Sequence, residues 1–156
     1  LGVGFTLAAA LRRCGPDSEV LVAELVPEVV DWNRNHIGEP SGHPLRDPRV
    51  RVHVGDVAEV LESPGSGFDA VLMDVDNGPE GLVRSANDWL YAGAGLAATA
   101  NALRGGGVLG VWSVSTDDRF TKRLESAGFE VEIETARPHR AGRGARHVLW
   151  FARRSA

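Results

Sequence analysis

The sequence predicts an α/β protein in which a mostly parallel sheet lies between two layers of helices. Strand-like apolar segments alternate with helical segments along most of the chain, a pattern typical of parallel sheets. At the end, the predicted strands 129–135 and 147–152 follow each other without a helix, so one strand should run antiparallel. The glycine-containing loop Leu1–Phe5 precedes a helical run, as in the nucleotide-binding corner of a Rossmann-like sheet.

The first part of the chain divides into short elements separated by glycine and proline. Gly15-Pro16 should end the first helix, and Pro27 suits the first turn of the second helix. A polar, proline-rich loop is predicted for 38–48. The predicted elements are a helix at 5–14, a strand at 19–24, a helix at 27–37, a strand at 50–54 and a helix at 57–61.

The second part continues the same alternation. The longest predicted helix, 85–103, should be closed by the glycines at 105–107, and Thr116 or Asp117 can cap the next helix. The basic stretch 137–146 is interpreted as a solvated hairpin loop, or as a contact with a subunit or an anionic group. The remaining predicted elements are strands at 69–73 and 108–114 and a helix ending at about 127.

Composition limits the classes of function. A chain of 156 residues is the size of one domain, and we expect a single domain over 1–156. No strand precedes the glycine loop, so we expect the first strand of the sheet to be missing and the natural protein to extend upstream. The net charge of −4 argues against nucleic acid as a partner. The lone Cys14 excludes an internal disulfide, and no apolar run reaches membrane-spanning length. We therefore expect a cytoplasmic protein.

Acidic residues follow three predicted strands. Glu24 follows VLVA, Asp56 follows VRVHVG, and Asp74 and Asp76 follow AVLM. In an open parallel sheet, ligands bind beyond the carboxyl ends of the strands. Together with the glycine loop, four separate segments are therefore expected to meet at one edge of the sheet.

The glycine loop and Glu24 indicate the kind of ligand. Leu7 stands where a dinucleotide fingerprint would have its third glycine after Gly2 and Gly4, which argues against a pyrophosphate. The loop leaves room for an uncharged linkage such as the amino-acid tail of S-adenosylmethionine. The two oxygens of Glu24 suit the two hydroxyls of a ribose, although a solvated strand end is the alternative.

Asp56 and the acidic loop that begins at Asp74 each allow two interpretations. Asp56 could cap the helix that begins at Val57, or accept from an adenine amino group; Leu25 and Val57 complete the predicted nucleoside-binding set. Asp74 and Asp76 create a negative field suited to an amine or a sulfonium, unless they are incidental acids of a turn. A calcium loop is excluded by Pro79 and Ser85 at its sixth and twelfth positions, and the five histidines lack metal-ligand spacing, so no metal is predicted.

With these positions, the chain resembles the spermidine synthase (polyamine aminopropyltransferase) family, whose catalytic domain has the class I methyltransferase fold. That fold implies a seven-stranded sheet with an antiparallel last strand. The resemblance is carried by LGVGFTLAAAL, VLVAELVPEVVDWN, VHVGDV, FDAVLMDVDNGPEGL, NDWLYAGAGLAATANALRGGGVLGVWS and GARHVLWFARR.

The resemblance implies a role for each strand-end position. Gly2 and Gly4 would line the tail of the nucleoside ligand, Glu24 would hold ribose, Asp56 would contact adenine and Asp74 would be the catalytic carboxylate. The family has Asp-Ser-Ser-Asp-Pro after its fourth strand, whereas this chain has Asp-Val-Asp-Asn-Gly at 74–78. The second family aspartate becomes an asparagine in direct register. Asp76 could restore the charge if the loop follows another path.

Three functions remain open on the sequence. The first is an aminopropyl transfer from decarboxylated S-adenosylmethionine to a small amine, as the resemblance implies. The second is a methyltransferase that uses S-adenosylmethionine, and the third is a non-catalytic nucleoside-binding scaffold. The resemblance also implies a homo-oligomer, either a homodimer or a tetramer.

Overall fold

The computed structural model describes residues 1–63, 67–75, 88–136 and 147–156. The predicted calls at Asp76, Asn77 and the basic stretch 137–146 lie outside these ranges. Contacts divide the chain into two compact units, Leu1–Val60 and Leu61–Ala156. The single domain predicted from the sequence stays a prediction.

The first unit contains two parallel strands and the helices around them. Strands β1 and β2 pair in register from Val20 with Val50 to Glu24 with Val54, so their carboxyl ends lie side by side. The helix after β1 continues as a wider π-helical turn, Asn33–Ile37, and the predicted loop contains two short 3-10 turns. The elements are α1 (Phe5–Leu11), β1 (Val20–Glu24), α2 (Pro27–Trp32), β2 (Val50–Val54) and α3 (Val57–Leu61), which ends just beyond this unit.

Arg49 holds the end of α1 against the start of β2. Its guanidinium donates hydrogen bonds of 3.0 to 3.1 Å to the carbonyl oxygens of Leu11, Cys14 and Gly15. The same group forms a two-pronged ion pair with Asp47, at 3.0 and 2.8 Å. These bonds from Arg49 lower the pKa of Asp47 to about 2. Arg49 thereby satisfies carbonyl groups at and beyond the end of the helix, where no helical donor is available.

The second unit is a four-stranded mixed sheet with helices packed on it. The strand order is β3-β4-β6-β5; β3 and β4 are parallel, whereas β6 runs antiparallel to both of its neighbours. The predicted antiparallel strand at the end of the chain is therefore confirmed. The elements are β3 (Phe68–Met73), α4 (Asp88–Tyr91), α5 (Gly93–Ala102), β4 (Leu103–Ser113), α6 (Asp118–Ser126), β5 (Phe129–Ala136) and β6 (His147–Arg154).

The predicted long helix 85–103 is wrong in two respects. Its described part is two helices, because the backbone is extended at Ala92 (φ −84°, ψ 167°). The glycines at 105–107 do not close a helix but lie inside β4, which begins at Leu103. Gly106 has φ +76°, and the pairing of β3 with β4 shifts between Phe68 and Ala70 at this point. A glycine triplet suits an irregular strand as well as a helix end, and the sequence pattern alone does not separate them.

The core of the second unit lies on one face of its sheet, against α5 and α6. Trp150 is fully buried at the centre; its ring meets Phe120 edge-on at 5.3 Å, and its Nε1 donates to the Thr121 hydroxyl at 2.9 Å. Tyr91 extends this aromatic contact, since its ring meets Phe120 at 5.8 Å. Trp32 of the first unit, by contrast, is 51% exposed.

Six strands lie in the described residues, two in one sheet and four in the other. The seven-stranded sheet stays a prediction. Among the described residues, no helix is long and apolar enough to span a membrane.

Candidate functional site

The glycine loop adopts a conformation that depends on its glycines. Gly2 and Gly4 have φ values of +50° and +95°, in the region that side-chain-bearing residues rarely adopt. The Gly4 N–H donates to the Leu1 carbonyl at 3.0 Å, which closes the turn before α1. Gly4 is buried, and a Cβ there would lie 2.8 Å from Pro44 Cγ. Gly4 is therefore required both by its backbone angle and by the space around it.

Two side chains that the sequence analysis did not identify hold the glycine loop in place. Asn33 Nδ2 donates to the Gly2 carbonyl at 3.0 Å, and the Ser41 hydroxyl lies 2.7 Å from the Val3 carbonyl. Both side chains come from segments that the sequence marked only as a helix and a polar loop. In the sequence, only the polar Asn33 on a helix that needs an apolar inner face could have indicated this contact. Its partner, the Gly2 carbonyl, is too distant in sequence to be predicted.

Glu24 lies at the carboxyl end of β1, as predicted, next to the glycine loop. Its Oε1 accepts from the Val26 N–H at 3.0 Å, and its Oε2 lies 3.1 Å from the backbone nitrogen of Leu1. The Glu24 side chain is only 13% exposed. Each carboxylate oxygen has two lone pairs, so both oxygens of Glu24 keep capacity for a further donor while their orientation is fixed.

Asp56 lies at the neighbouring strand end. The Gly55 N–H donates to the Glu24 carbonyl at 3.0 Å, which joins the two strand ends directly. Asp56 Oδ1 accepts from the Ala58 N–H at 2.9 Å, so this side chain does cap α3. The adenine contact stays a prediction for Asp56, which is exposed.

The apolar members of the predicted set flank these two acids. Leu25 is 53% exposed directly after Glu24, and Val57 is half-buried as the first residue of α3. Six predicted residues of the first unit thus lie along one edge: Gly2, Gly4, Glu24, Leu25, Asp56 and Val57.

Asp74 follows β3 in the second unit, and its side chain is exposed. The next residue is held in place, because the Tyr91 hydroxyl donates to the Val75 carbonyl at 3.1 Å. Tyr91 is itself buried in the aromatic core. The start of the acidic loop is therefore anchored to the buried aromatic core of this unit.

Metal ligands are not grouped in the described part of the chain. Across residues 1–63, 67–75, 88–136 and 147–156, no three His, Cys, Asp or Glu side chains are placed to hold one ion. The His53 ring pairs with Glu59 at 3.1 Å.

The chain is similar in sequence to proteins named polyamine aminopropyltransferase. No protein-family model matches the chain. A polyamine aminopropyltransferase from Mycobacterium tuberculosis is 32% identical over 142 residues, which is 84% of this chain and 26% of that protein. The chain thus spans about a quarter of the length of the curated relatives it matches. The resemblance predicted from the sequence is confirmed.

Solved structures agree on the fold. The spermidine synthase from Thermotoga maritima matches with a TM-score of 0.71 at 18% identity, over 99% of this chain and 51% of that one. Human methyltransferase-like protein 13, solved in complex with SAH, matches with a TM-score of 0.68 at 18% identity, over 99% of this chain and 69% of that one. The chain therefore has a Rossmann-like α/β fold of the methyltransferase type.

Proposed function

From its similarity to the polyamine aminopropyltransferases, we propose that this chain is part of a transferase that moves an aminopropyl group from decarboxylated S-adenosylmethionine to an amine. The observation that carries the proposal is the edge of the first unit, where the Glu24 carboxylate lies beside the glycine loop. A carboxylate held in this way suits the two hydroxyls of a ribose. Curated relatives named polyamine aminopropyltransferase support the same ligand class.

Each residue of the first unit then has a role in holding the nucleoside. Gly2 and Gly4 approach the tail beyond the sulfur, where a side chain would prevent close contact. Glu24 holds the ribose. Asp56 accepts from the adenine amino group, with Leu25 and Val57 against the ring.

The proposed reaction is a substitution at the propyl carbon that is bonded to the sulfonium. The amine nitrogen forms a bond to this carbon, the bond from carbon to sulfur breaks, and methylthioadenosine leaves. An alkylamine is mostly protonated at neutral pH, so it must lose a proton before it attacks. The Asp74 carboxylate accepts that proton, and the acidic loop, with Asp76, attracts the cationic substrates. Positioning supplies much of the remaining rate because the sulfur is already a good leaving group.

Methyl transfer from S-adenosylmethionine itself is the second candidate. The structural likeness to methyltransferases favours it, since the same fold serves both reactions. The two donors differ by one carboxylate. The relatives named polyamine aminopropyltransferase favour aminopropyl transfer.

Calorimetric titration with three compounds separates these functions. S-adenosylmethionine, its decarboxylated form and methylthioadenosine are each titrated into the protein. We expect the decarboxylated donor to bind most tightly. A preference for S-adenosylmethionine would replace the proposal with methyl transfer, and binding of none of the three would leave only a non-catalytic scaffold.

The role of Asp74 is tested with a matched pair of variants, one directly after β3 and one within it. Asp74→Asn keeps the shape of the side chain but removes the base, so turnover should fall by about 10²- to 10⁴-fold. Nucleoside affinity should stay within about tenfold, because the proposed contact is with the amine. Asp69→Asn is the control, since Asp69 is an exposed carboxylate on β3 that pairs with Arg104. Full turnover by Asp74→Asn, or an equal loss in both variants, would contradict the assignment.

A further inference from the structure

Asn33 is a completely buried polar residue behind the glycine loop. Its side chain is 0% exposed, and its Nδ2 donates to the Gly2 carbonyl at 3.0 Å. Its Oδ1 has no hydrogen-bond partner among the described residues. A buried amide that is only partly satisfied costs stability compared with an apolar side chain of the same size. Packing alone therefore does not account for an asparagine at this position.

The backbone around Asn33 is shaped to bring a second support to the same loop. Asn33 begins the π-helical turn, and the chain folds back so tightly that a Cβ on Gly38 would lie 2.2 Å from the Asn33 carbonyl oxygen. Single π-helical turns occur often at functional sites. The returning segment places the Ser41 hydroxyl 2.7 Å from the Val3 carbonyl and 2.9 Å from the Gly38 carbonyl.

These contacts fix the direction of the loop's N–H groups. In a trans peptide the C=O and the following N–H point to opposite sides. Because Asn33 holds the Gly2 carbonyl on the buried side, the Val3 N–H points the other way, and Val3 is exposed. The Val3 N–H has no acceptor among the described residues. The loop thus presents a fixed backbone donor on the side away from Asn33.

We propose that Asn33 and Ser41 are positioning residues that hold the glycine loop from behind and set its affinity for the sulfur-linked tail of the nucleoside. The part of this inference that concerns the ligand rests on the proposed function. The part that concerns the loop does not. Neither side chain touches the ligand in this scheme, because both act through the carbonyl groups of Gly2 and Val3.

The test compares Asn33→Leu with Asn35→Leu, the same change at two asparagines of one helical turn. Leucine has nearly the shape of asparagine but cannot donate to Gly2. Asn35 is exposed and bonds only to Asp31 among the described residues, at 2.7 Å, so its replacement leaves the loop untouched. Ser41→Ala removes the second support from a different segment and keeps the test open if Asn33→Leu folds poorly.

The first measurement is hydrogen exchange of the loop amides in the ligand-free protein. In Asn33→Leu and Ser41→Ala, the Gly4 amide should exchange about five- to tenfold faster, the effect of losing about one hydrogen bond. The amides of β1 and β2 should keep their rates, and Asn35→Leu should match the parent chain. Unchanged exchange of Gly4 in both loop variants would overturn the inference.

The second measurement is affinity for nucleosides with and without a tail. S-adenosylmethionine and its decarboxylated form should bind about five- to tenfold more weakly to the loop variants. Methylthioadenosine, which carries only a methyl group on sulfur, should keep its affinity; a purely structural defect would weaken all three equally and would overturn the ligand part. Faster loop exchange with no nucleoside binding in the parent chain would support the loop inference while rejecting the proposed function.

Discussion

Replacing Gly4 with alanine should destabilise the protein and weaken nucleoside binding, because this glycine is restricted by both conformation and space. Its φ of +95° costs an L-residue about 1–2 kcal/mol. The new Cβ would also lie 2.8 Å from Pro44 Cγ, 3.1 Å from Asn33 Nδ2 and 3.2 Å from Ser41 Oγ. Overpacking of this kind costs about 1–3 kcal/mol, so we expect a total loss of about 2–5 kcal/mol.

Gly2→Ala is the matched comparison for this prediction. Gly2 also has a positive φ, +50°, but a Cβ there would have no atom within 4 Å. Only the conformational cost of about 1–2 kcal/mol should therefore remain. Urea unfolding of the two variants beside the parent chain measures both values. Equal destabilisation by the two substitutions would refute the reasoning, since it would mean that Pro44, Asn33 and Ser41 do not confine Gly4.

Two further predictions concern stability. Asp117→Ala should lower the free energy of unfolding by about 1 kcal/mol, measured by urea titration, because Asp117 caps α6 by accepting from the N–H groups of Arg119 and Phe120 at 2.8 and 3.0 Å. The Asp47–Arg49 pair should stabilise the protein above about pH 4 and lose this contribution as the pH falls towards 2, because the pKa of Asp47 is lowered from 3.8 to about 2 in the folded state. Thermal unfolding of Asp47→Asn and the parent chain between pH 2 and 7 checks this: the difference in midpoint should shrink in acid, and a constant difference would contradict it.

Local patterns were enough to predict most elements of the fold. The strand Val50–Val54 and the helix Val57–Leu61 have the predicted bounds, because short apolar runs there are bounded by glycine and proline. The break at Ala92 was not predictable from its neighbours. Gly93, Ala94 and Gly95 carry no pattern that distinguishes a helix end from a helix interior, and a Cβ on Gly95 would lie 2.3 Å from the Trp89 carbonyl oxygen. The close approach of two helices explains this glycine, and such an approach is a property of the packed chain.

The candidate site was predictable where it depends on strand ends and not where it depends on distant contacts. Glu24 and Asp56 lie where the alternation of strands and helices places them. Asn33 and Ser41 reach the glycine loop across 31 and 38 residues of sequence, through a π-helical turn that no local pattern announces. The sequence therefore predicted the acidic residues at the strand ends and missed the two side chains that hold the glycine loop.

The two interpretations of Asp56, as a helix cap and as a ligand residue, do not exclude each other. A carboxylate has about four acceptor positions, and the cap bond from the Ala58 N–H uses one of them. The Glu24 carboxylate likewise accepts a bond from the Val26 N–H, which orients it without filling its acceptor capacity. A side chain oriented by the protein loses less rotational freedom when a ligand binds, so each of these bonds should raise affinity as well as stability. The cap bond would thus orient Asp56 for adenine before the ligand binds. In the same way, the bond to Glu24 would orient its carboxylate for ribose, and Asn33 would orient the glycine loop.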